Sequence, residues 1–531
     1  MPFSYAYPNF TLPFNNDGGG YGSSLVDPVS ERGDYEYEAA FAYYDDPMYG
    51  WLLNERYAKV PREGDYALFH GKEEISRYPV QDIVSKNFKN VGYSILRSGT
   101  YPNQNYVLMD YGPYGGSHGH PDKLHLDIYG QNSILAPDFG TPSYGNILYR
   151  DWYKQTISHN TITVDGKSQA EVQGELKRFI DLPNFKMMTG TADKAYSGVS
   201  YERTVWVDEE YIIDWFDVAD PIQPHQYDWT LHGLGSFATN QPLVNREEKL
   251  GSIDGYLHIL NPKSSGLIES WEGAWNQMQS GLYVISLPFG EREMVVADAS
   301  GPSIKPNNKI PMVLQRKSGK EARFVTVLQP FTQEAKEVKA VKEGENGVRV
   351  DTPEHSDHFY YNPKAEIGDL ISAKATSSIG KKIILGKKIQ SAVSNQTLTL
   401  TMDSEELLHD TVLIVKAEQV EEVLVNGIKV NFKQDGDHVI LELAAFKTVS
   451  DNHGKPVSET LPFKSNEKAV HLLASGHANQ PISVDLNQKK MMIPPSDTSK
   501  TDLSPYVKEG VNNLTWEVRG KPEKSITIII Q

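Results

Sequence analysis

Three histidines and an aspartate stand close together in a glycine-rich part of the sequence. His118 and His120 flank Gly119, and Asp138 and His159 follow further along the chain. In an extended chain residues i and i+2 point to the same side, so one segment presents two imidazoles together. With a carboxylate and a third imidazole from neighbouring strands, this set is suited to Zn²⁺. The alternative is that these are ordinary hydrogen-bonded histidines at strand ends.

Other histidines give weaker indications of chemistry. Along the alternating stretch 123–129 the apolar residues are expected to face the core. That leaves His125, Asp127 and Tyr129 facing a groove or solvent. His355 and His358 form a second candidate metal pair, but no helical pattern places them on one face.

The composition limits the available chemistry. The chain of 531 residues contains no cysteine, so disulfides, thiolate metal ligands and cysteine nucleophiles are excluded. The sequence also lacks a phosphate-binding Gly-x-x-x-x-Gly-Lys loop and a His-Glu-x-x-His motif. Any metal must therefore bind His, Asp or Glu, and any nucleophile must be oxygen or nitrogen.

The charge of the chain excludes two classes of partner. Its 52 basic and 69 acidic residues give a net charge of −17, and no run of Lys or Arg forms a basic face. No stretch approaches the roughly 18 apolar residues of a membrane span. The N-terminus lacks the basic and apolar regions of a signal peptide. We therefore expect no nucleic-acid partner and no membrane partner.

Helices and a loop are predicted ahead of the histidine cluster. Pro, Gly and Asn are frequent in residues 1–30 and predict an irregular loop. From Asp34 to Tyr57 aromatic residues recur at three- and four-residue steps, which is typical of helices. Pro47 follows Asp45-Asp46 and divides this region into two helices, because proline is favoured in a first helical turn.

Strands dominate the rest of the chain. From Asn90 onward, β-branched and aromatic runs are bounded by Gly, Asn, Asp or Pro. We expect a mainly β protein with a large antiparallel β-sandwich and a smaller C-terminal β domain, in which Asn426-Gly427 forms a hairpin turn. The basic stretch Lys381 to Lys388 marks the boundary, which gives predicted units of 1–85, 86–385 and 386–531.

Four sequence blocks occur in a fixed order around the histidines, and a fifth continues them. They are Gly92 to Gly99, Gly115 to Leu124, Pro137 to Gly145, Lys154 to Thr161 and Tyr227 to Gly233. Together they resemble the heparinase II/III-like superfamily of polysaccharide lyases, which includes heparinases and oligoalginate lyases. The resemblance implies the end of an (α/α) toroid followed by an antiparallel supersandwich, in agreement with the helices-then-strands pattern.

The resemblance also implies roles for individual residues. It implies a largely structural zinc ion held by His120, Asp138 and His159. It places His118 at the active centre and implies a catalytic tyrosine between the aspartate and histidine ligands. Tyr149 is the first candidate for that tyrosine and Tyr144 the second.

The implied reaction is β-elimination at a uronic acid of alginate or a glycosaminoglycan. The carboxylate is neutralised, a base removes the C5 proton and an acid protonates the departing O4. Arg97, Arg150 and Lys154 are the candidates for binding that carboxylate. The expected partner is thus an acidic polysaccharide or oligosaccharide, and the family resemblance implies a bacterial lyase that is secreted or periplasmic.

One departure from the family pattern leaves alternatives open. The family usually carries several hundred toroid residues that supply part of the catalytic set, whereas about 85 residues precede the first sandwich strand here. We expect either the C-terminal portion of a longer enzyme or a short form. The cleft would then be lined by the loop Asn15 to Gly18 with Tyr21, Tyr43 and Tyr44. The alternatives are a non-catalytic carbohydrate-binding or scaffold sandwich and a glycoside hydrolase with paired carboxylates.

Overall fold

The chain divides into two compact units, Met1–Ala335 and Lys336–Gln531. The computed structural model describes residues 2–18, 22–26, 36–332, 338–377, 389–449, 455–465, 471–475, 481–493, 498–508, 510–519 and 525–531. The predicted boundary stretch Lys381 to Lys388 lies outside the described residues. The division falls at 335/336 rather than 385/386 because strands between 339 and 377 join the same sheet as strands after 407.

Short helices occupy the N-terminal region. They are α1 (Pro2–Tyr5), α2 (Glu36–Tyr44), α3 (Pro47–Tyr57) and α4 (Asp65–Phe69). Helices α2 and α3 were predicted, whereas α1 lies within the predicted loop and α4 was not predicted. The side chain of Asp46 caps α3 by accepting the Met48 N–H at 2.8 Å, and Pro47 occupies the first turn. Among the described residues no helix has the length and apolar character needed to cross a membrane.

The first unit contains a five-stranded sheet that carries the histidine cluster, here called the first sheet. Its strands lie in chain order: β1 (Lys86–Phe88), β2 (Tyr93–Ser98), β3 (Asn105–Asp110), β4 (Leu126–Gly130) and β5 (Ser133–Ala136). Neighbouring strands are antiparallel.

Two larger antiparallel sheets complete the first unit. Their strands are β6 (Ile162–Val164), β7 (Glu175–Leu182), β8 (Phe185–Thr191), β9 (Ser200–Val207), β10 (Ile212–Ala219), β11 (His225–His232), β12 (Ser236–Thr239), β13 (Val244–Asn245), β14 (Leu260–Ile268), β15 (Trp271–Asn276), β16 (Ser280–Ser286), β17 (Arg292–Ser300), β18 (Lys309–Gly319) and β19 (Glu321–Thr332). One sheet has the order β12-β15-β16-β19-β10-β9-β8-β7 and the other β13-β14-β17-β18-β11-β6.

The main core of the first unit lies between these sheets. It combines Phe216 and Phe324 of the eight-stranded sheet with Trp229 and Val313 of the six-stranded sheet, all fully buried. Leu126 of β4 joins the same core, so the first sheet packs against the sandwich. The predicted mainly β, antiparallel sandwich fold is confirmed.

The second unit is also a β structure. Its strands are β20 (Lys339–Glu343), β21 (Gly347–Asp351), β22 (Ser356–Tyr361), β23 (Leu370–Ser377), β24 (Ile389–Ser394), β25 (Thr397–Met402), β26 (Leu408–Lys416), β27 (Glu422–Val425), β28 (Ile428–Val430), β29 (Lys433–Asp435), β30 (His438–Val449), β31 (Val457–Ser465), β32 (His471–Ser475), β33 (Ile482–Leu486), β34 (Lys489–Ile493), β35 (Thr498–Asp502), β36 (Gly510–Val518) and β37 (Ile526–Ile530). The predicted hairpin is confirmed, because Asn426 and Gly427 link β27 to β28 with left-handed φ angles of 49° and 78°.

The outward face of β4 corrects an expectation. His125, Asp127 and Tyr129 were expected to face a groove or solvent, but all three are buried. The N-terminal segment, residues 2–18, covers this face: the ring of Tyr7 stacks on Tyr129 at 5.6 Å, and its hydroxyl donates to Asp127 at 2.9 Å. Apolar and polar residues therefore do alternate along β4, but both faces of the strand are buried.

A buried ion pair connects the sandwich to the chain around the histidines. The guanidinium of Arg203 on β9 donates twice to Asp214 on β10, at 2.7 Å each. Its remaining nitrogen, Nη1, donates to the carbonyl oxygens of Leu124 and Asn160, both at 2.6 Å. Removing one member of such a pair leaves the other charge buried without its partner.

We therefore expect Arg203→Met to lower the free energy of unfolding by about 3–5 kcal/mol, measured by urea denaturation. The control is Lys177→Met, which breaks an exposed pair with Glu175 and should cost no more than about 0.5 kcal/mol. Equal losses in the two variants would contradict the structural role assigned to Arg203.

Candidate metal and active site

Glycines shape the loop between β3 and β4 that carries His118 and His120. Gly115 and Gly116 have φ angles of 88° and 67°, which disfavour other residues. A Cβ added to Gly119 would lie 1.5 Å from the carbonyl oxygen of Tyr114. The loop can therefore fold back on itself only with these glycines, and it brings both histidines to one edge of the first sheet.

The other loops of the site come from the chain between β5 and β6. Asp138 lies two residues after the end of β5, and its backbone N–H donates to the buried carboxylate of Asp127 at 2.6 Å. His159 follows a short 3-10 turn, Thr156–Ser158. The hydroxyl of Thr156 donates to the carbonyl of Pro121 at 2.5 Å, so the two histidine loops are joined directly.

The structure brings His120, Asp138 and His159 together in a buried pocket, called here the metal pocket. Nδ1 of His120 lies 3.3 Å from Nε2 of His159, which lies 3.6 Å from Oδ2 of Asp138. Asp122 joins them, because one ligand atom from each of the four residues lies within 4.8 Å of the others. Sequence reasoning missed Asp122, although its two-residue step from His120 repeats the step from His118.

The ligand atoms of the metal pocket are suited to a cation. Nδ1 of His159 lies 2.9 Å from the carbonyl oxygen of Gln155, and Nε2 of His120 lies 3.1 Å from a carboxylate oxygen of Asp17. Both of these ring nitrogens must donate, so the two nitrogens that face each other carry lone pairs when the rings are neutral. Oδ2 of Asp138 is also buried without a hydrogen-bond partner. The two imidazole lone pairs and this carboxyl oxygen therefore face one point.

The spacing of these atoms fits a small tetrahedral ion. Two ligands at 2.0–2.1 Å from a tetrahedral Zn²⁺ lie about 3.3–3.4 Å apart. The separation of 3.3 Å between His120 and His159 matches that value, and the separation of 3.6 Å between His159 and Asp138 is slightly longer. Two of the ligand-atom separations in the pocket are therefore close to those around a tetrahedral zinc ion.

The electrostatics of the metal pocket favour neutral imidazole. Burial holds the pKa of His159 well below its usual value, and burial raises the pKa of Asp138 well above its own. Behind them Lys123 lies 3.0 Å from both Asp110 and Asp122. Burial opposes ionisation of Asp122, but the ammonium of Lys123 lowers its pKa to about 2. The pocket thus presents the ionised carboxylate of Asp122 beside the neutral imidazole of His159.

A second group of side chains, called the outer cluster, surrounds Asp17. Nδ1 of His118 lies 3.0 Å from Oδ2 of Asp17, and the hydroxyl of Tyr149 donates to the same oxygen at 2.9 Å. The hydroxyl of Tyr144 lies 3.2 Å from Nδ1 of His118. The side chain of His118 is 66% exposed, whereas that of Asp17 is 3% exposed. The structure therefore places both candidate tyrosines beside the candidate active-centre histidine.

The three predicted carboxylate-binding residues have different surroundings. Arg97 does not face a cleft: it is buried, and its guanidinium donates to the carbonyls of Ser4 and Ala6 beneath the N-terminal segment. Arg150 is exposed next to Tyr149. Nζ of Lys154 lies 5.5 Å above the Tyr149 ring and donates to Ser117 at 2.7 Å. Lys154 and Arg150 therefore remain at the outer cluster, and Arg97 serves the fold.

The second histidine pair does not form a metal site. Nδ1 of His358 bonds the carboxylate of Glu343 at 2.9 Å, whereas His355 pairs with Asp357 at 3.4 Å. A three-residue step in an extended chain sends side chains to opposite sides. Within the part of the chain that the structure describes, the metal pocket is the group of His, Asp or Glu residues close enough to share an ion.

The predicted cleft-lining residues are only partly tested. The loop Asn15 to Gly18 lies at the site through Asp17, and Asn16 accepts the backbone N–H of His120 at 2.8 Å. Tyr43 and Tyr44 are exposed at the end of α2. Tyr21 lies outside the described residues.

The fold and the site define a β-sandwich protein in which a buried His/Asp pocket underlies an exposed His/Tyr cluster. Residues 81–294 match the family described as heparinase II/III-like, C-terminal. The resemblance noted from the sequence blocks is therefore confirmed over these residues.

Curated relatives of this chain are polysaccharide lyases. An alginate lyase of Stenotrophomonas maltophilia is 28% identical over 271 residues, which cover 45% of this chain and 36% of that protein. A heparin-sulfate lyase of Pedobacter heparinus is 22% identical over 184 residues, covering 32% of this chain and 28% of that protein. A crystal structure of a heparan sulfate lyase from Pedobacter heparinus aligns with a TM-score of 0.47 at 16% identity, over 66% of this chain and 50% of that one. The chain therefore covers about a third of the length of these two curated relatives.

The burial of Asp138 predicts an unusual response to substitution. Its folded pKa is raised, so its contribution to stability is complete below the unfolded pKa of about 3.9 and is lost as pH rises through the folded pKa. In chelator-treated protein we expect Asp138→Asn to raise the free energy of unfolding by about 1–3 kcal/mol near neutral pH. The gain should vanish in acid, where the wild-type carboxyl is protonated. Urea denaturation across pH measures it.

Asp181→Asn is the matched control, because Asp181 is partly exposed and already bonds Ser85 and Lys186. We expect no stabilisation from it at any pH. A stability loss in Asp138→Asn that is independent of pH would contradict the uncompensated buried charge.

Proposed function

We propose that this protein is a polysaccharide lyase that cleaves uronic-acid-containing glycans of the alginate or glycosaminoglycan type by β-elimination. The observation that carries the proposal is the outer cluster, in which the side chains of His118 and Tyr149 meet on one carboxylate, Asp17, at the protein surface. The names of the curated relatives, alginate lyase and heparin-sulfate lyase, support the choice of substrate class.

His118 is suited to act as the base. Nδ1 of its ring faces the carboxylate of Asp17 and carries the proton, so Nε2 presents a lone pair. In the proposed reaction Nε2 takes the proton from C5, and the electron pair of the C5–H bond forms the C4–C5 double bond as the C4–O4 bond breaks. The imidazolium that results is stabilised by the adjacent carboxylate.

Tyr149 is suited to act as the acid. Burial, together with its hydrogen bond to Asp17, raises the pKa of Tyr149 to about 12. The phenol is therefore protonated at neutral pH and can give its proton to the departing O4. Exchange with solvent then returns a proton to the tyrosine and removes one from His118, which restores the starting state.

Lys154 and Arg150 are suited to neutralise the uronate carboxylate. Lys154 is held over the Tyr149 ring by the cation–π contact and by Ser117, and Arg150 is exposed beside it. Net charge governs the distant field, whereas two cations at the cluster govern the local one. An acidic protein can in this way bind an acidic polymer.

We further propose that the metal pocket binds Zn²⁺ through His120, Asp138 and His159. A bound zinc ion would supply positive charge that compensates the buried carboxylates and would join the loops that carry the outer cluster. The role is structural: the pocket lies at 2% exposure or less, whereas His118 and Tyr144 are exposed.

The lyase assignment predicts ultraviolet absorbance from C4–C5 unsaturated products on at least one of alginate, heparin, heparan sulfate, hyaluronan or ulvan. On the responsive polymer, we expect His118→Gln and Tyr149→Phe each to lower kcat by about 10²–10⁴-fold, because each removes a proton-transfer group.

Tyr283→Phe is the matched control for Tyr149→Phe. Tyr283 also donates its hydroxyl to a carboxylate, that of Glu272 at 2.6 Å, but it lies on β16 and should leave the rate unchanged. If the folded, zinc-loaded protein produces no increase in ultraviolet absorbance with any of these polymers, the lyase assignment is refuted. Release of reducing ends without the absorbance would indicate hydrolysis instead, and binding without turnover that survives His118→Gln would indicate a non-catalytic module.

The zinc assignment predicts about one zinc ion per chain by elemental analysis. His120→Ala and Asp138→Ala should each abolish it and remove the rise in melting temperature that zinc gives. His225→Gln is the control, because His225 also bonds two aspartates but lies outside the metal pocket. A folded protein that contains no metal and gains no stability from added zinc would refute the assignment.

A further inference from the structure

One carboxylate connects the metal pocket to the outer cluster. Oδ1 of Asp17 lies 3.1 Å from Nε2 of His120, and Oδ2 lies 3.0 Å from Nδ1 of His118 and 2.9 Å from the hydroxyl of Tyr149. Each contact is within hydrogen-bonding distance. An ionised carboxylate can only accept hydrogen bonds, so all three partners must donate to it.

The position of Asp17 is fixed from several directions. Its backbone N–H donates to the carbonyl of His118 at 3.1 Å. The neighbouring Asn16 bonds the backbone of His120 and the hydroxyl of Tyr93, and Asn15 donates to the buried carboxylate of Asp127 at 2.8 Å. The carboxylate is therefore held against the histidines by its own backbone and by both preceding side chains.

The contacts of Asp17 determine which nitrogen of each histidine carries a proton. On His120 the proton is on Nε2, which leaves the lone pair of Nδ1 facing His159 in the metal pocket. On His118 the proton is on Nδ1, which leaves the lone pair of Nε2 free. The Tyr144 hydroxyl, 3.2 Å from the same Nδ1, is a second acceptor for that proton.

We propose that Asp17 is a positioning residue that fixes opposite tautomers of His118 and His120, so that one side chain prepares both the base of the outer cluster and a ligand of the metal pocket. The catalytic half of this inference rests on the proposed lyase function, whereas the tautomer half does not. Asp17 acts through the side chains of His118, His120 and Tyr149, and it contacts the ring nitrogen of His120 that faces away from the metal pocket.

Asp17→Asn separates the two halves. An amide keeps one acceptor oxygen and gains an N–H₂ donor. The orientation that serves more partners keeps the oxygen at the Oδ2 position, where His118 and Tyr149 donate, and turns the N–H₂ group toward Nε2 of His120. His120 must then accept at Nε2 and carry its proton on Nδ1, inside the metal pocket.

The test is long-range ¹H–¹⁵N correlation NMR on zinc-free protein, which assigns the tautomer of each histidine. In wild type we expect Nδ1–H on His118 and Nε2–H on His120. In Asp17→Asn we expect His120 to reverse, His118 to be unchanged, and the zinc affinity measured by chelator competition to fall about 10–100-fold. Asp17→Ala should release both histidines and lower kcat without changing KM, because no substrate contact is removed.

Asp165→Asn is the matched control, since Asp165 accepts from Nδ1 of His225 at 2.7 Å away from both clusters. It should leave the tautomers of His118 and His120 and the zinc affinity unchanged. If His120 keeps Nε2–H and its zinc affinity in Asp17→Asn, the inference is overturned. The NMR result stands even if the wild type cleaves none of the polymers, so failure of the lyase proposal is distinguishable from failure of this one.

Discussion

The buried carboxylate of Asp127 is the interaction on which the site depends. It accepts hydrogen bonds from Tyr7 and Asn15 of the N-terminal segment and from the backbone N–H of Asp138. A charge without solvent must be satisfied by such donors, so the segment and the Asp138 loop can adopt few other arrangements around it. This constraint brings Asp17, two residues beyond Asn15, over the histidines. The outer cluster and the metal pocket both follow from it.

The site separates two electrostatic environments over a short distance. The metal pocket is buried, and burial keeps His159 neutral while the ammonium of Lys123 keeps Asp122 ionised. The outer cluster is open to solvent on the side of His118 and lies beside two cations, Lys154 and Arg150. The proposed ligand set for a cation and the proposed binding surface for an anion can thus be adjacent because the carboxylate of Asp17 lies between them.

Local patterns predicted much of the fold. The helices on either side of Asp45-Asp46 and the turn at Asn426-Gly427 were predictable because capping, proline placement and left-handed turns depend on a few neighbouring residues. The division between the two units was not, because the strands from 339 to 377 join the sheet of the second unit through the pairing of β23 with β26, which is not its neighbour in sequence. Pairing between remote strands leaves no mark on the local pattern of either strand.

For the site, the sequence by itself determined the types of the reactive residues and their two-residue spacing, which indicated that His118 and His120 work together with Asp138 and His159. Only the tertiary structure decided which side chains are exposed. The sequence suggested that Arg97 and the polar face of β4 are accessible. The N-terminal segment, which lies about a hundred residues earlier in the chain, covers both. Three features depend on segments that are distant in sequence and adjacent in the fold. They are the burial of these residues, the hydrogen-bond partner of each histidine nitrogen and the presence of Asp122 in the metal pocket. The alternation of apolar and polar residues along a strand shows that the strand has two different faces, but it does not show what packs against each face.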